Sequence, residues 1–176
     1  MNSLTYAGIG SRETPSEVLD EMKTLGTCLG INGFTLRTGG AEGADIAFEK
    51  GCDICGSKKE IYTPWKNFSK YSKNEIVAPN LSNWKEALQI AEKFHPAWNR
   101  LSTGAQKLIT RNTYQVLGLD LNSPVDLVVC WTKDGKASGG TGQAIRLAES
   151  YKIPVFNLKN ENCLASLSEF IKSLQI

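Results

Sequence analysis

Three glycine-rich segments of the chain have residue types and spacings that suit the binding of a phosphate group. They are GIGSR at residues 8–12, TGGAEGAD at residues 38–45 and SGGTG at residues 138–142. Glycines let the backbone approach a ligand closely, and the free N–H groups at a helix start favour an anion. One such segment is also compatible with a plain tight turn in an α/β domain. Three in one chain favour a phosphate or nucleotide site.

Four side chains within or near these segments have alternative roles. Arg12 follows the first turn, where it either binds a ligand or is solvated. Asp45 either caps a helix or holds a ligand hydroxyl. Trp65 either stacks on a nucleobase or belongs to the core. No catalytic residue is predicted, but Glu42 is the first candidate if the protein has hydrolytic chemistry.

The elements on either side of these segments predict how the segments are positioned. Strands are predicted at residues 4–9, 34–37, 59–63, 125–130 and 153–156, with helices between them. The run at 125–130 is apolar and β-branched, which suits a strand buried on both faces of a parallel sheet. This alternation predicts an α/β fold, a Rossmann-like doubly wound parallel sheet sandwiched by helices.

The helices are predicted from apolar periodicity and from their end signals. Thr14 is the predicted N-cap of the first helix, with Pro15 at its first position and Glu17 as the capping-box partner. Three later helices are predicted at residues 83–94, 102–117 and 163–174.

Length and charge restrict the class of protein. The 176 residues predict one domain over 1–176, and the net charge of +2 argues against an extended phosphate-coating surface while permitting a local basic pocket. No apolar run approaches the roughly 18 residues that a membrane span needs. No membrane partner and a cytoplasmic location are therefore expected.

The five cysteines and the single histidine do not predict a metal centre. Cys52 and Cys55 have CxxC spacing, but a structural zinc site needs a second pair or a nearby histidine. His95 is distant in sequence, and the odd cysteine count suits reduced thiols in a cytosol. Neither a metal nor a cofactor is predicted.

The region around residues 64–100 is predicted to be an insertion that acts as a lid or an oligomer contact. Residues 69–83 are polar, with few apolar anchors, and are predicted to form a loop. A connection of this length is more often functional or mobile than purely structural.

The three turns and one helix together resemble the SLOG superfamily of Rossmann-like nucleotide-binding domains, and within it the DprA-like proteins. The similar segments are Gly10-Ser11-Arg12, residues 37–45, the pair Arg111-Asn112 and SGGTGQAIRLA at residues 138–148. The run at 95–118 is similar to small DprA-like proteins of tailed phages. This resemblance implies a homodimer or higher oligomer, and the host cytoplasm as its location if a phage encodes it.

A second resemblance is to the lysine decarboxylase-like phosphoribohydrolases, whose motif is PGGxGTxxE. The overlay on residues 139–143 places Arg146 where the catalytic glutamate belongs. A guanidinium would repel the positive charge that develops in an oxocarbenium-like transition state. It would instead suit a phosphate.

These observations predict that the protein binds a nucleotide-derived small molecule at the carboxyl edge of the sheet. The resemblance implies a sponge that sequesters an antiphage signalling nucleotide of the cyclic ADP-ribose or cyclic oligonucleotide type. The alternatives are an N-glycosidase that acts on nucleotides and a DprA-like protein that binds single-stranded DNA, with Trp65, Trp84, Trp98 and Trp131 as stacking aromatics. The predicted ligand-binding residues are Gly8, Gly10, Ser11, Arg12, Thr38, Gly39, Gly40, Ala41, Gly43, Asp45, Trp65, Arg111, Asn112, Ser138, Gly139, Gly140, Thr141 and Gly142.

Overall fold

A six-stranded, all-parallel sheet forms the centre of the protein. A computed structural model describes residues 3–174. The strands run in the spatial order β4-β3-β2-β1-β5-β6, and every neighbouring pair is parallel. Their bounds are β1 Thr5–Gly8, β2 Thr35–Thr38, β3 Lys59–Thr63, β4 Glu75–Val77, β5 Leu127–Cys130 and β6 Val155–Asn157.

Six α-helices cover the two faces of this sheet. Their bounds are α1 Ser16–Ile31, α2 Ala44–Cys55, α3 Trp84–Lys93, α4 Thr103–Leu117, α5 Gly142–Ser150 and α6 Cys163–Leu174. Helices α1, α2 and α6 contribute to one buried apolar cluster, and α3, α4 and α5 contribute to the other. Neighbouring residues of β1 divide between the clusters, because Tyr6 points into the first and Ala7 into the second. The predicted Rossmann-like α/β fold is thus confirmed.

The direction in which successive strands are added to the sheet reverses beside β1. Strands β1 to β4 are added one after another toward one edge, and the chain then returns so that β5 pairs with the other side of β1. The connections before and after this reversal leave from opposite faces of the sheet. A crevice therefore opens at the carboxyl ends of β1 and β5, which is the usual ligand position in open α/β sheets.

Several predicted elements have the bounds that the sequence indicated, and others differ. The predicted strand at 59–63 and the predicted helix at 163–174 coincide with β3 and α6. The predicted loop at 69–83 contains the edge strand β4 and a short 3₁₀ turn at Ala78–Asn80. The sequence did not reveal β4, because only three of its residues pair with β3. The register of this pairing joins separate segments of the chain, and local periodicity gives no signal of it.

The predicted capping of α1 is wrong. The helix starts at Ser16, no side chain caps it, and the Thr14 hydroxyl instead donates to the carbonyl of Ser11 at 2.6 Å. The capping pattern therefore stabilises the turn after β1 rather than the first turn of the helix.

Glycines bring α1 and α2 into close contact. A Cβ added at Gly51 would lie 2.1 Å from the carbonyl oxygen of Lys23 and 3.0 Å from the Cα of Gly26. A Cβ at Gly26 would lie 2.7 Å from the carbonyl oxygen of Phe48. The backbones of the two helices touch at these positions, which leaves no room for a side chain between them.

Neither a membrane span nor a metal cluster is found between residues 3 and 174. None of the helices in this range is long and apolar enough to cross a bilayer. Over the same range, no group of three or more His, Cys, Asp or Glu side chains is placed to hold a metal ion.

We predict that Gly51→Ala lowers the free energy of unfolding by at least about 2 kcal/mol, because the added methyl group overpacks the contact between α1 and α2. Urea denaturation of the purified protein measures this change. Gly104→Ala is the matched control, since a Cβ at this helical position in α4 meets no atom within 4 Å. The control should leave stability unchanged or raise it. Equal effects at the two positions would contradict the packing explanation.

Candidate functional site

A cavity of about 480 Å³ lies at the carboxyl ends of β1 and β5, where the strand order reverses. Segments from four parts of the chain line it: the turn after β1, the start of α2, one face of α4, and the loop between β5 and α5. The lining residues are Ile9, Gly10, Ser11, Arg12, Glu13, Ala41, Asp45, Leu108, Ile109, Arg111, Asn112, Gln115, Thr132, Lys133, Ser138, Gly139, Gly140 and Thr141.

Helix α4 supplies one wall of the cavity. Leu108, Arg111 and Gln115 follow one another at spacings of three and four residues, so their side chains share one face of the helix. The helix begins at Thr103, and the hydroxyl oxygen of Ser102 accepts a hydrogen bond from the Ala105 N–H at 3.2 Å. This N-cap fixes where the helix starts and so which residues face the cavity.

The guanidinium of Arg111 is buried at the base of the cavity. It is 5% exposed, and its Nη1 lies 3.4 Å from the Asp45 carboxylate. With the Gln115 amide oriented so that Oε1 faces its donors, this oxygen accepts from Arg111 Nη1 and from the Gly39 N–H. The Nε of Arg111 is buried and has no hydrogen-bond partner among the described residues. The guanidinium is therefore only partly satisfied, because its ion pair with Asp45 is long and one buried N–H donor has no acceptor.

Burial controls the protonation of both members of this ion pair. It raises the pKa of Asp45 above its ordinary value, although Arg111 and the Ala41 N–H oppose the shift. It also lowers the pKa of Arg111, although Asp45 opposes this change. Since an arginine stays protonated in proteins, the cavity presents a poorly hydrated cation, and such a group attracts an anion.

Two of the predicted binding residues in the second turn support Arg111. A Cβ at Gly39 would lie 1.1 Å from Arg111 Nη1, so only a glycine leaves space for the guanidinium. The Asp45 carboxylate accepts from the Ala41 N–H at 3.2 Å and thereby fixes the turn. The alternative role of Asp45 as a helix cap is wrong, because no side chain caps α2.

The third glycine turn forms a rim of the cavity that adjoins α4. Residues Gly139–Thr141 form a 3₁₀ turn that leads directly into α5. Gly139 has a φ of +62°, which favours glycine, whereas a Cβ at Gly140 would meet nothing within 4 Å. The side-chain amide of Asn112 donates to the Gly140 carbonyl at 3.0 Å and ties this rim to α4. A side chain at Gly140 would therefore not clash with neighbouring atoms, because the space beside this residue is open.

The first glycine turn brings an exposed arginine to the rim. Gly10 packs closely, since a Cβ there would lie 2.7 Å from the Cβ of Ala44. Arg12 is exposed, and its Cζ lies 6.0 Å from the ring centroid of Phe68. The Cζ of Arg111 lies 5.6 Å from the same ring. The Phe68 ring thus lies within cation–π distance of both arginines.

The structure brings most of the predicted binding residues together. The predicted residues that line the cavity are Gly10, Ser11, Arg12, Ala41, Asp45, Arg111, Asn112, Ser138, Gly139, Gly140 and Thr141. The predicted residues that do not line it are Gly8, Thr38, Gly39, Gly40, Gly43, Trp65 and Gly142. Some of these have packing roles: a Cβ at Gly8 would meet the Phe48 ring at 2.6 Å, and the Thr38 hydroxyl donates to the Gly8 carbonyl.

Two further candidates lie outside the cavity lining. Glu42 is exposed and pairs with Lys70 at 3.0 Å, and this lysine lowers the pKa of the Glu42 carboxyl. Trp65 is 41% exposed, and its ring meets that of Phe68 edge-on with centroids 5.3 Å apart. Trp65 therefore contacts Phe68, whose ring lies near the Arg12 and Arg111 side chains of the cavity lining.

Arg146, for which the motif overlay indicated phosphate binding, contacts backbone carbonyl groups. Its Nε donates to the Phe94 carbonyl at 2.7 Å, and its Nη1 donates to the Ala137 carbonyl at 2.9 Å. It does not line the cavity. The guanidinium instead ties the loop before α5 to the end of α3.

Sequence reasoning missed several lining residues. They are Ile9, Glu13, Leu108, Ile109, Gln115, Thr132 and Lys133. The helical spacing of Leu108 and Gln115 from Arg111 was a usable signal, because all three share one face of α4. Thr132 and Lys133 directly follow β5, and the position of a strand end is itself a signal in parallel sheets.

The fold is similar to that of two kinds of solved structure. DNA processing protein A from Helicobacter pylori is 20% identical with a TM-score of 0.58, and the match covers 98% of this chain and 80% of that protein. The molybdenum cofactor carrier protein from Chlamydomonas reinhardtii is 18% identical with a TM-score of 0.57, and the match covers 99% and 85% of the two chains. No protein-family model and no curated protein matches this chain. The likeness establishes a shared Rossmann-like fold.

We predict that Asp45→Asn and Arg111→Met each lower the free energy of unfolding by on the order of 3 kcal/mol, because each leaves a buried group without its counter-charge. The double variant should cost clearly less than the sum of the two, since it removes both charges. Chemical denaturation of the four proteins in this cycle measures the coupling. Additive costs would contradict a direct interaction between the two side chains.

Proposed function

We propose that the cavity binds the phosphate-bearing part of a nucleotide-derived small molecule. The observation that carries this proposal is the buried guanidinium of Arg111, which is only partly compensated by Asp45. Arg12 and Lys133 add exposed positive charge at the rim. A phosphate would gain charge-assisted hydrogen bonds from such groups, and the glycine-rich rim at Gly139–Thr141 lets it approach the backbone.

The size and mixed polarity of the cavity also favour such a ligand. Its volume of about 480 Å³ falls within the range of small-molecule sites. Ile9, Leu108 and Ile109 form an apolar part of the wall beside the charged and amide groups. A sugar or base can therefore lie against the apolar part while the phosphate faces the arginines.

The structural neighbours support ligand binding on this fold. One neighbour is described as binding single-stranded DNA, and the other is a carrier of the molybdenum cofactor. Sequence identities of 20% or less show that the fold is shared but not which ligand is bound. The ligand of this chain is therefore inferred from its own residues.

The specific form of the proposal is sequestration: the protein holds a signalling nucleotide of the cyclic ADP-ribose or cyclic oligonucleotide type and does not consume it. Native mass spectrometry with a panel of AMP, ADP-ribose, cyclic ADP-ribose and cyclic dinucleotides tests this form. A sponge should release its ligand unchanged after heating. Free base that accumulates with time would replace sequestration with N-glycosidic hydrolysis, and no bound nucleotide at all would overturn the proposed function.

We predict that Arg12→Ala weakens the binding of a nucleotide from this panel about tenfold or more, because it removes a charged contact at the rim. Isothermal titration calorimetry measures the affinity. Arg100→Ala is the matched control, since Arg100 is also exposed but does not line the cavity. The control should bind with unchanged affinity, and an equal loss in both variants would indicate only long-range attraction.

A further inference from the structure

The segment that follows β3 contains aromatic and basic residues in alternation. In WKNFSKYSK, at residues 65–73, aromatic rings recur at 65, 68 and 71, and lysines stand at 66, 70 and 73. We call residues 65–73 the aromatic–lysine strip. Binding surfaces for single-stranded nucleic acids combine these two residue types, because the rings stack on bases and the cations pair with phosphates.

Side-chain contacts hold the strip against α2 and β4. The Ser72 hydroxyl donates to the fully buried carboxylate of Glu49, which also pairs with Lys59 at 2.9 Å. The Tyr71 hydroxyl donates to Asp53 at 2.8 Å. The Asn67 N–H donates to the Glu75 carboxylate at 2.6 Å. The strip is therefore ordered before any ligand binds, which reduces the entropic cost of binding.

The strip is continuous with the cavity. Phe68, at its middle, lies within 6.0 Å of the guanidinium carbons of Arg12 and Arg111, both of which line the cavity. The strip also packs on the second glycine turn, because a Cβ at Gly40 would lie 3.0 Å from the Cβ of Ser69. A chain of nucleotides that leaves the cavity beside Arg12 therefore meets the strip next.

Charge and exposure differ along the strip. Lys66 and Lys73 are exposed and form no ion pair within the described residues. Lys70, in contrast, pairs with Glu42. Tyr71 has the ammonium of Lys50 5.5 Å from its ring centroid, so that residue mainly anchors the segment. Trp65, with 41% of its surface exposed, is the ring most open to a base.

We propose that the aromatic–lysine strip is a second binding surface, at which Trp65 stacks on a nucleobase while Lys66 and Lys73 pair with phosphodiester groups. The ligand is then a phosphodiester-linked molecule of more than one nucleotide, in which one phosphate occupies the cavity and the next nucleotide lies on the strip. This inference rests on the proposed function of the cavity and adds the class of ligand to it.

The test compares three probes on the full chain: AMP, a cyclic dinucleotide and a fluorescein-labelled oligothymidylate. The two larger probes separate a cyclic from a linear source of the same phosphodiester chemistry. At least one of them should bind about fivefold or more tightly than AMP, and Trp65→Ala should lower the ratio of its affinity to that of AMP. Trp65→Phe should restore part of it. Tyr151→Ala is the control, since Tyr151 is also exposed (50%) but lies beyond α5, away from the cavity.

Salt dependence tests the lysines separately. For the linear probe, replacing Lys66 and Lys73 by alanine should reduce the slope of log affinity against log salt by about 0.7 for each lost contact. Lys172→Ala, on α6, should leave the slope unchanged. If AMP binds and neither larger probe gains affinity, or if Trp65→Ala has no effect, the strip proposal is overturned while the cavity proposal stands. If none of the three probes binds, the cavity proposal is overturned as well.

Discussion

The site depends on the burial of one cation, the guanidinium of Arg111. Three conditions meet around it: Gly39 has no side chain, Asp45 places a carboxylate 3.4 Å away, and Gln115 lies one turn along the same helix. Within the second glycine turn, Gly39 thus contacts this arginine and does not line the cavity, whereas Ala41 and Asp45 do line it. The cost of removing this charge from water is met only in part by its neighbours. On the proposed function, the phosphate of the ligand would supply a further acceptor for this guanidinium.

The reversal of strand order determines which segments meet at that cation. Because β5 returns to pair with β1, the loop after β5 lies beside the turn after β1, although the two are far apart in sequence. The long connection between β4 and β5 contains α4, which covers the sheet on the same face as α5. The glycine turns, the arginine and the amide groups therefore converge from segments that have no local relation to one another.

The sequence predicted the fold class and most strands because the periodicity of apolar residues and the glycines at the ends of elements are local signals. It also placed Arg12 and the third turn at the carboxyl edge of the sheet, since strand ends of a parallel sheet share one edge. Arg111, which lies on α4, was predicted from the resemblance. Both arginines and residues 138–141 of the third turn line the cavity. It could not reveal that Arg146 binds the backbone carbonyls of Phe94 and Ala137, because those contacts depend on how α3 packs. It could not separate glycines that face the cavity, such as Gly140, from glycines that permit packing, such as Gly8. Both kinds look the same in a sequence.

The pairing of β1 with β5 has a consequence for how the protein folds. The backbone N–H and the hydroxyl of Thr5 both donate to the Asp126 carboxylate, across a sequence separation of 121 residues. Closing so long a loop lowers the entropy of the chain, and only the interactions of the completed sheet offset this cost. Parallel pairings between strands that are distant in sequence therefore slow folding. Strand β2 pairs with β1, and β3 pairs with β2, through much shorter connections, whereas the cavity exists only once β5 has paired with β1. Separation of the sheet between β1 and β5 would therefore part the turn after β1 from the loop after β5, which line the cavity together.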